Sequence, residues 1–286
     1  MEFWHVTTDH LSDRILFRNS EDFKVGMNYV AVAKQATGVS ILAFILMSNH
    51  VHFVLECSRE KAFEFITRFK GLHGRYLQRK YGLKEFLRRN DVDINPLSLY
   101  DDSLKKAIAY VLMNSVGARL CIFANDYQWG SGAVYFSSRP IKGKALGSLS
   151  IRAQQRALRS WETLPQDWIL SEDGYISPAS YVAVAFVEKL YSTPTSMKYY
   201  MDKSSKAKGK REPWEALPSF SDQTVLAAYI DLKRTMFNKR EQDSISEEHN
   251  SELALQLKRR FSCDINQIRR ITGLSNDTAL KLFDSF

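Results

Sequence analysis

Residues 3–8, FWHVTT, have the aromatic and β-branched character of a strand. Asn19 or Ser20 can then cap a helix through EDFKVGMNYVAVAKQA, which Gly38 ends. VSILAFILM at 39–47 is apolar throughout and rich in β-branched residues, as a buried strand is. After a Ser-Asn turn HVHFVLE continues as a second strand, so the pair predicts a hairpin. From 59 to 80, REKAFEFITRFKGLHGRYLQRK spaces Phe63, Ile66, Phe69, Leu72 and Tyr76 three or four apart, the stripe of an amphipathic helix. A loop is predicted near Asn95 and Pro96, with one strand optional there. DDSLKKAIAYVLMNSVGARL gives the next helix, capped by Asp101 or Asp102 and apolar along Leu104, Ile108 and Val111. The order β-α-β-β-α-(β)-α predicts an α+β domain with helices on one face of its sheet.

Beyond Trp129 the pattern loosens. GSGAVYFSSRPIKGKALGS predicts a connector with one strand at AVYF, and residues 150–200 read as helical with irregular turns at SWETLPQDWIL. MDKSSKAKGKREP at 201–213 is a basic linker candidate, followed by a helix at 221–240 and a final helical block. This divides the chain into a domain at 1–136, a connector and helical extension at 137–247, and a unit at 248–286. In the last unit Gly273 sits in a turn before SNDTALKLF, as in a helix-turn-helix. The segment in the place of a recognition helix carries Asp277 and one lysine, so DNA contact, protein contact and a structural role all stay open.

The chain has 286 residues, 44% of them apolar, and a net charge of +8, which favours a polyanionic partner. Between Arg59 and Arg89 ten basic residues face three acidic ones, so nearly all the excess charge lies there. Arg68, Lys70, Arg75, Arg79 and Lys80 are the candidate phosphate contacts; a solvated helix face is the plainer alternative. Cys57, Cys121 and Cys263 lie far apart with no CxxC spacing, which fits a reducing cytosol. The N-terminal MEFWHVTTDH has no apolar signal region, and no apolar run is long enough to span a bilayer. A soluble cytoplasmic, nucleoid-associated protein is expected.

The candidate chemistry sits in two places. Alternate strand residues share a face, so His50 and His52 project together and can share a metal, or can simply form a hydrogen-bonded pair. On the helix at 101–120, Lys106, Tyr110 and Asn114 recur every four residues on a stripe opposite the apolar one. A tyrosine on a helix is usually a core or boundary residue, and the chain has thirteen of them, so Tyr110 alone does not mark a nucleophile.

LMSNHVHFVLE followed by YVLMNSVGARL, with FWHVTT before and RYLQRKYG between, resembles the single-tyrosine HUH transposases, especially the REP-associated tyrosine transposases. The resemblance covers roughly residues 3–136. It implies a ferredoxin-like antiparallel sheet with helices, the HUH nuclease fold, to which the pattern beyond residue 136 adds a mainly helical C-terminal extension ending in a candidate helix-turn-helix. It implies that Tyr110 is the nucleophile and that His50, His52 and Asn114 hold a divalent metal, Mg²⁺ or Mn²⁺. Ser115 stands where that family usually has proline. The implied activity is cleavage and transfer of single-stranded or hairpin DNA through a covalent 5′-phosphotyrosine, with a homodimer as one arrangement. Lys106, one turn before Tyr110, is a candidate stabiliser of its phenolate, the alternative being a solvated lysine. Two competing readings are a domesticated DNA-binding regulator without catalysis and a hydrolytic metallonuclease that has no need of Tyr110.

Overall fold

A computed structural model describes residues 1–8, 15–82, 92–138, 140–205 and 220–284. Lys84, Arg88 and Arg89 of the basic stretch and most of the 201–213 linker lie outside the described residues.

The order is β1 (Phe3–Thr7), α1 (Ser20–Thr37), β2 (Ser40–Leu46), β3 (Val51–Glu56), α2 (Arg59–Tyr81), β4 (Asp93–Leu97) and α3 (Ser103–Gly117). The four strands form one antiparallel sheet in the order β2-β3-β1-β4, so β-α-β-β-α-β closes in the ferredoxin-like way. The caps predicted at Asn19 and Gly38 are in place, whereas Asp102, at the start of α3, makes no side-chain capping bond. Asn19 Oδ1 accepts from the Asp22 amide at 3.1 Å, Ser58 caps α2, and Gly38 and Gly82 end their helices at φ 69°, a conformation that favours glycine.

Three details differ from the pattern-based expectation. The helices occupy both faces of the sheet. Phe53 meets Phe65 and Phe69 of α2, whereas its neighbour His52, on the other face by strand alternation, meets Tyr110 of α3. Phe63 is 58% exposed, because α2 buries Phe65, Ile66, Phe69 and Leu77 instead. Residues 93–97 form the edge strand β4, on which Pro96, opposite Trp4, costs no ladder bond to an outer neighbour.

The connector wraps the same core. The predicted strand at AVYF is absent: residues 133–136 turn, with Phe136 at φ 50°. Residues on either side of this turn close the outer edge of β2. Leu46 N–H donates to Trp129 O at 2.8 Å, Ser131 N–H to Phe44 O at 3.0 Å, and Ala183 N–H to Ile41 O at 2.9 Å. Gly130 permits the approach, since a Cβ there would stand 2.8 Å from Phe44 O. A small hairpin, β5 (Gly143–Ala145) with β6 (Ile169–Ser171), flanks α4 (Ile151–Leu158); α5 (Val184–Tyr191) and α6 (Pro194–Asp202) follow. One hydrophobic core runs from Phe3 through Leu146 and Leu158 to Met197.

A second core, with Val225, Leu253, Leu257 and Ile268 at its centre, joins α7 (Asp222–Phe237), α8 (Glu247–Phe261), α9 (Ile265–Thr272) and α10 (Asn276–Asp284). Asp222 is its link to the sheet. The buried carboxylate accepts two bonds of 3.1 Å from Arg270, one of 3.0 Å from Gln267 and one of 2.7 Å from Ser48 Oγ, in the turn between β2 and β3. Among the described residues no helix is long and apolar enough to cross a membrane.

Candidate active site

The β2–β3 turn closes through a bond from Met47 N–H to His50 O at 2.8 Å, and β3 begins one residue later. His50 therefore stands just outside the strand, half-buried, while His52 is inside it with no exposed surface. Their rings still meet, 4.9 Å apart at 82°. His50 Nδ1 lies 2.9 Å from Asn49 Oδ1. An amide oxygen only accepts, so His50 carries its proton on Nδ1 and Nε2 is its basic nitrogen.

A third imidazole joins from β1. Thr7 pairs with His52 in the ladder, which makes His5 the diagonal neighbour of His52 on the same face. The rings stack at 5.3 Å, and His5 Nε2 lies 3.2 Å from His52 Nδ1.

Opposite these rings, α3 presents Tyr110. Leu104, Ile108 and Val111 turn into the core as their spacing predicts, leaving Tyr110 half-buried and Lys106 exposed. The phenol ring meets His52 edge-on at 5.7 Å and His5 at 5.9 Å. Asn114, one turn on, is buried, and its side-chain amide donates to Tyr110 O at 2.9 Å and Val111 O at 3.4 Å. With both amide hydrogens directed at its own helix, Oδ1 is the atom this side chain can offer a cation. Ser115, also buried, continues the helix where a proline would interrupt it.

His5, His52, Lys106 and Tyr110 line a cleft of about 790 Å³ whose far wall is α6, with Tyr199, Tyr200 and Lys203. Lys203 Nζ stands 4.4 Å over the Tyr199 ring, and Lys105 Nζ 5.4 Å over that of Tyr200. The wall is thus aromatic and cationic. His50 and Asn114 do not line the cleft.

The donor set fits a divalent ion with open positions. Two imidazoles bound to one ion through nitrogens about 2 Å away have ring centres roughly 4.5–5.3 Å apart, and those of His50 and His52 are 4.9 Å apart. In both rings Nδ1 has a partner and Nε2 is buried. Among the described residues no group of three His, Cys, Asp or Glu gathers as a metal site, so a third protein donor would be the Asn114 amide.

The five candidate phosphate contacts lie elsewhere. All belong to α2, on the face of the sheet away from Tyr110. Arg68 is ion-paired with Glu162 and Lys70 is half-buried, whereas Arg75 and Arg79 are exposed. Lys80 Nζ reaches Asp22 at 2.7 Å, Glu21 at 2.8 Å and Tyr76 Oη at 2.9 Å. Burial opposes its charge, but these three bonds outweigh burial and hold its pKa above the usual lysine value.

Two contributors escape the motif reading. His5 sits in FWHVTT, whose alternation places it on the face of Thr7, but a lone strand histidine does not announce its partner across the ladder. The α6 wall has only the local cue YYMDK in a segment that otherwise reads as plain helix.

No family model and no curated protein matches the chain. Among solved structures, it is similar to a REP-associated tyrosine transposase bound to a REP hairpin. The two are 12% identical with a TM-score of 0.32, over 45% of this chain and 75% of that one.

Proposed function

We propose that the protein cleaves and transfers single-stranded DNA through Tyr110, as a metal-dependent strand transferase of the HUH single-tyrosine class. The observation that carries this reading is the edge-on contact of Tyr110 with His52 across the β3–α3 cleft, beside His50. A divalent ion, Mg²⁺ or Mn²⁺, held by His50, His52 and Asn114, would supply Lewis-acid neutralisation of a phosphate oxygen. The residues of the chain do the rest. His5 and Asn49 fix the ring nitrogens of His52 and His50, and the α6 wall with Lys106 attracts and seats the strand.

In the reaction the Tyr110 oxygen bonds to phosphorus as the bond to the 3′ oxygen breaks. The phenol proton is lost, a 3′ hydroxyl leaves, and the 5′ phosphate stays on the protein. Attack by the 3′ hydroxyl of another strand reverses the step and rejoins DNA without ATP. We read Tyr110 as acting at the histidines of its own chain, which its ring meets at 5.7 and 5.9 Å. We read α9 and α10 as a docking unit rather than a DNA reader, since α10 carries Asp277 and Asp284 against Lys281.

The test is incubation with labelled single-stranded hairpins and Mg²⁺ or Mn²⁺, resolved on a denaturing gel. A covalent adduct is expected from the wild type, and none from Tyr110→Phe, which keeps the ring. Full cleavage by Tyr110→Phe would leave a hydrolytic nuclease; no cleavage by the wild type would leave a DNA-binding regulator.

A further inference from the structure

A wide concavity lies on the other side of the sheet, where α4 packs against α1 beside the C-terminal end of α2. Three contacts fix α4 there: Asn28 Nδ2 donates to Ala157 O at 3.0 Å, Arg159 pairs with Glu21, and the chain beyond α4 pairs Glu162 with Arg68. The resulting cleft has a volume of about 950 Å³. That is the upper end of the range for small-molecule sites, about 300–1,000 Å³, so it has room for more than one nucleotide.

Its chemistry is lopsided. Five cations line it, Arg79, Lys80, Arg152, Arg156 and Arg159, against the single carboxylate of Glu21. Glu21 is already committed: its hydrogen bond from Lys80, helped by Arg159, holds its pKa below the usual carboxylate range. Lys80 and Arg159 are therefore frame, while Arg79, Arg152 and Arg156 make no ion pair among the described residues and stand exposed. Arg152 and Arg156 are one turn apart on one face of α4, so their like charges repel each other unless an anion intervenes.

The rim holds the fourth feature. Arg159 ends α4 at φ 49°, and Ser160 Oγ accepts from the Glu162 amide at 3.2 Å, a short turn that leaves Trp161 85% exposed at the cleft. A tryptophan so uncovered beside three unshared guanidinium groups has the parts of a stacking platform over a phosphate track. A small anion would use only the charges, and a membrane surface would call for a flat face, whereas this one is a cleft.

We infer that the α2–α4 cleft is a second binding site, for single-stranded nucleic acid, in which Arg79, Arg152 and Arg156 hold phosphates and Trp161 stacks on a base. It is separate from the Tyr110 cleft and needs none of that cleft's chemistry. The site also gives α4, outside the region that resembles a catalytic domain, a direct part in gripping the strand.

The experiment uses the full chain in EDTA, where metal-dependent cleavage is off, with a short labelled oligothymidylate. Binding is expected to quench tryptophan fluorescence in the wild type and in Tyr110→Phe, but not in Trp161→Phe. Trp161→Ala should weaken binding about tenfold, the loss of one stacked base. Arg152→Glu with Arg156→Glu should weaken it further and flatten the dependence of log K on log salt by about 1.4, roughly 0.7 for each phosphate no longer neutralised. Unchanged affinity and salt slope in the double variant would overturn the site, as would quenching that persists in Trp161→Phe. Charge reversal that weakens binding while Trp161→Ala does not would overturn the stacking assignment. Because catalysis is silent in every arm, failure of the Tyr110 reaction leaves these outcomes untouched.

Discussion

Acidification is expected to unsettle the protein through His73, a residue with no part in the chemistry. His73 lies in α2 under the β2–β3 turn, fully buried between Phe17, Phe69 and Tyr76, with ring centroids 4.5, 6.1 and 5.8 Å away. Nε2 donates to Leu16 O at 2.9 Å, whereas Nδ1 is buried without a hydrogen bond. A second proton would place a charge and an unpaired N–H in the core. Burial accordingly pushes the ring down from 6.5 to about 4, against the milder pull of Leu16 O and Asp22. Between those two values the unfolded chain binds the proton and the folded chain does not, so stability falls as the pH drops from about 6.5 to about 4. The loss approaches 3 kcal/mol at the acid end and is about 2 kcal/mol at pH 5, taking about 1.4 kcal/mol per pKa unit. His73→Phe removes the titration and the bond to Leu16 O. It should be about 1 kcal/mol less stable than the wild type at pH 7, with the gap closing or inverting at pH 5. Urea unfolding of both proteins at pH 7, 6 and 5, followed by circular dichroism, makes the comparison, and carboxylate effects common to both cancel. Parallel loss of stability in the two proteins would refute the reasoning.

His5 and Asp222 offer two further handles. For His52 to give Nε2 to a metal, its Nδ1–H must donate to His5 Nε2. His5→Gln, which keeps an acceptor, should hold Mn²⁺ nearly as the wild type does, while His5→Leu should bind it about 10–100-fold more weakly in calorimetric titration; equal affinities would remove His5 from the site. Asp222→Ala strands the guanidinium of Arg270 and should lower stability by about 3 kcal/mol, whereas Ser48→Ala, which removes one hydrogen bond, should cost about 1 kcal/mol, both read from urea midpoints.

How much was legible follows from where each signal lives. Caps, hairpin and helices up to α3 are local, and Asn19, Gly38 and the stripe of Leu104, Ile108 and Val111 sit where their spacing places them. Local spacing gives the face each residue takes on its own element, Tyr110 opposite the apolar stripe of α3 and His52 on one side of β3, but that the two meet is implied only by the family resemblance. What stayed hidden is pairing between distant segments. Nothing near His5 says that β1 will lie beside β3, nothing in α4 says that Arg152 and Arg156 will face Arg79, and the sequence of α3 does not declare which side of the sheet it will take. Phe63 misled because an aromatic at helical spacing suggests burial, yet the stripe that α2 buries passes through Phe65.

The covering of β2 bears on how the protein can be handled as fragments. SILAFIL has no charge and no proline, and along its outer edge the backbone bonds come from residues 129–131 and 183. Such a strand, once bared, is a template for pairing with its own copies. A fragment ended at residue 136 would keep the first cover and lose the second, exposing Ile41 O at the start of the strand. The smallest fragment that stays soluble and monomeric should therefore extend past Val182 and Ala183, and shorter ones should aggregate.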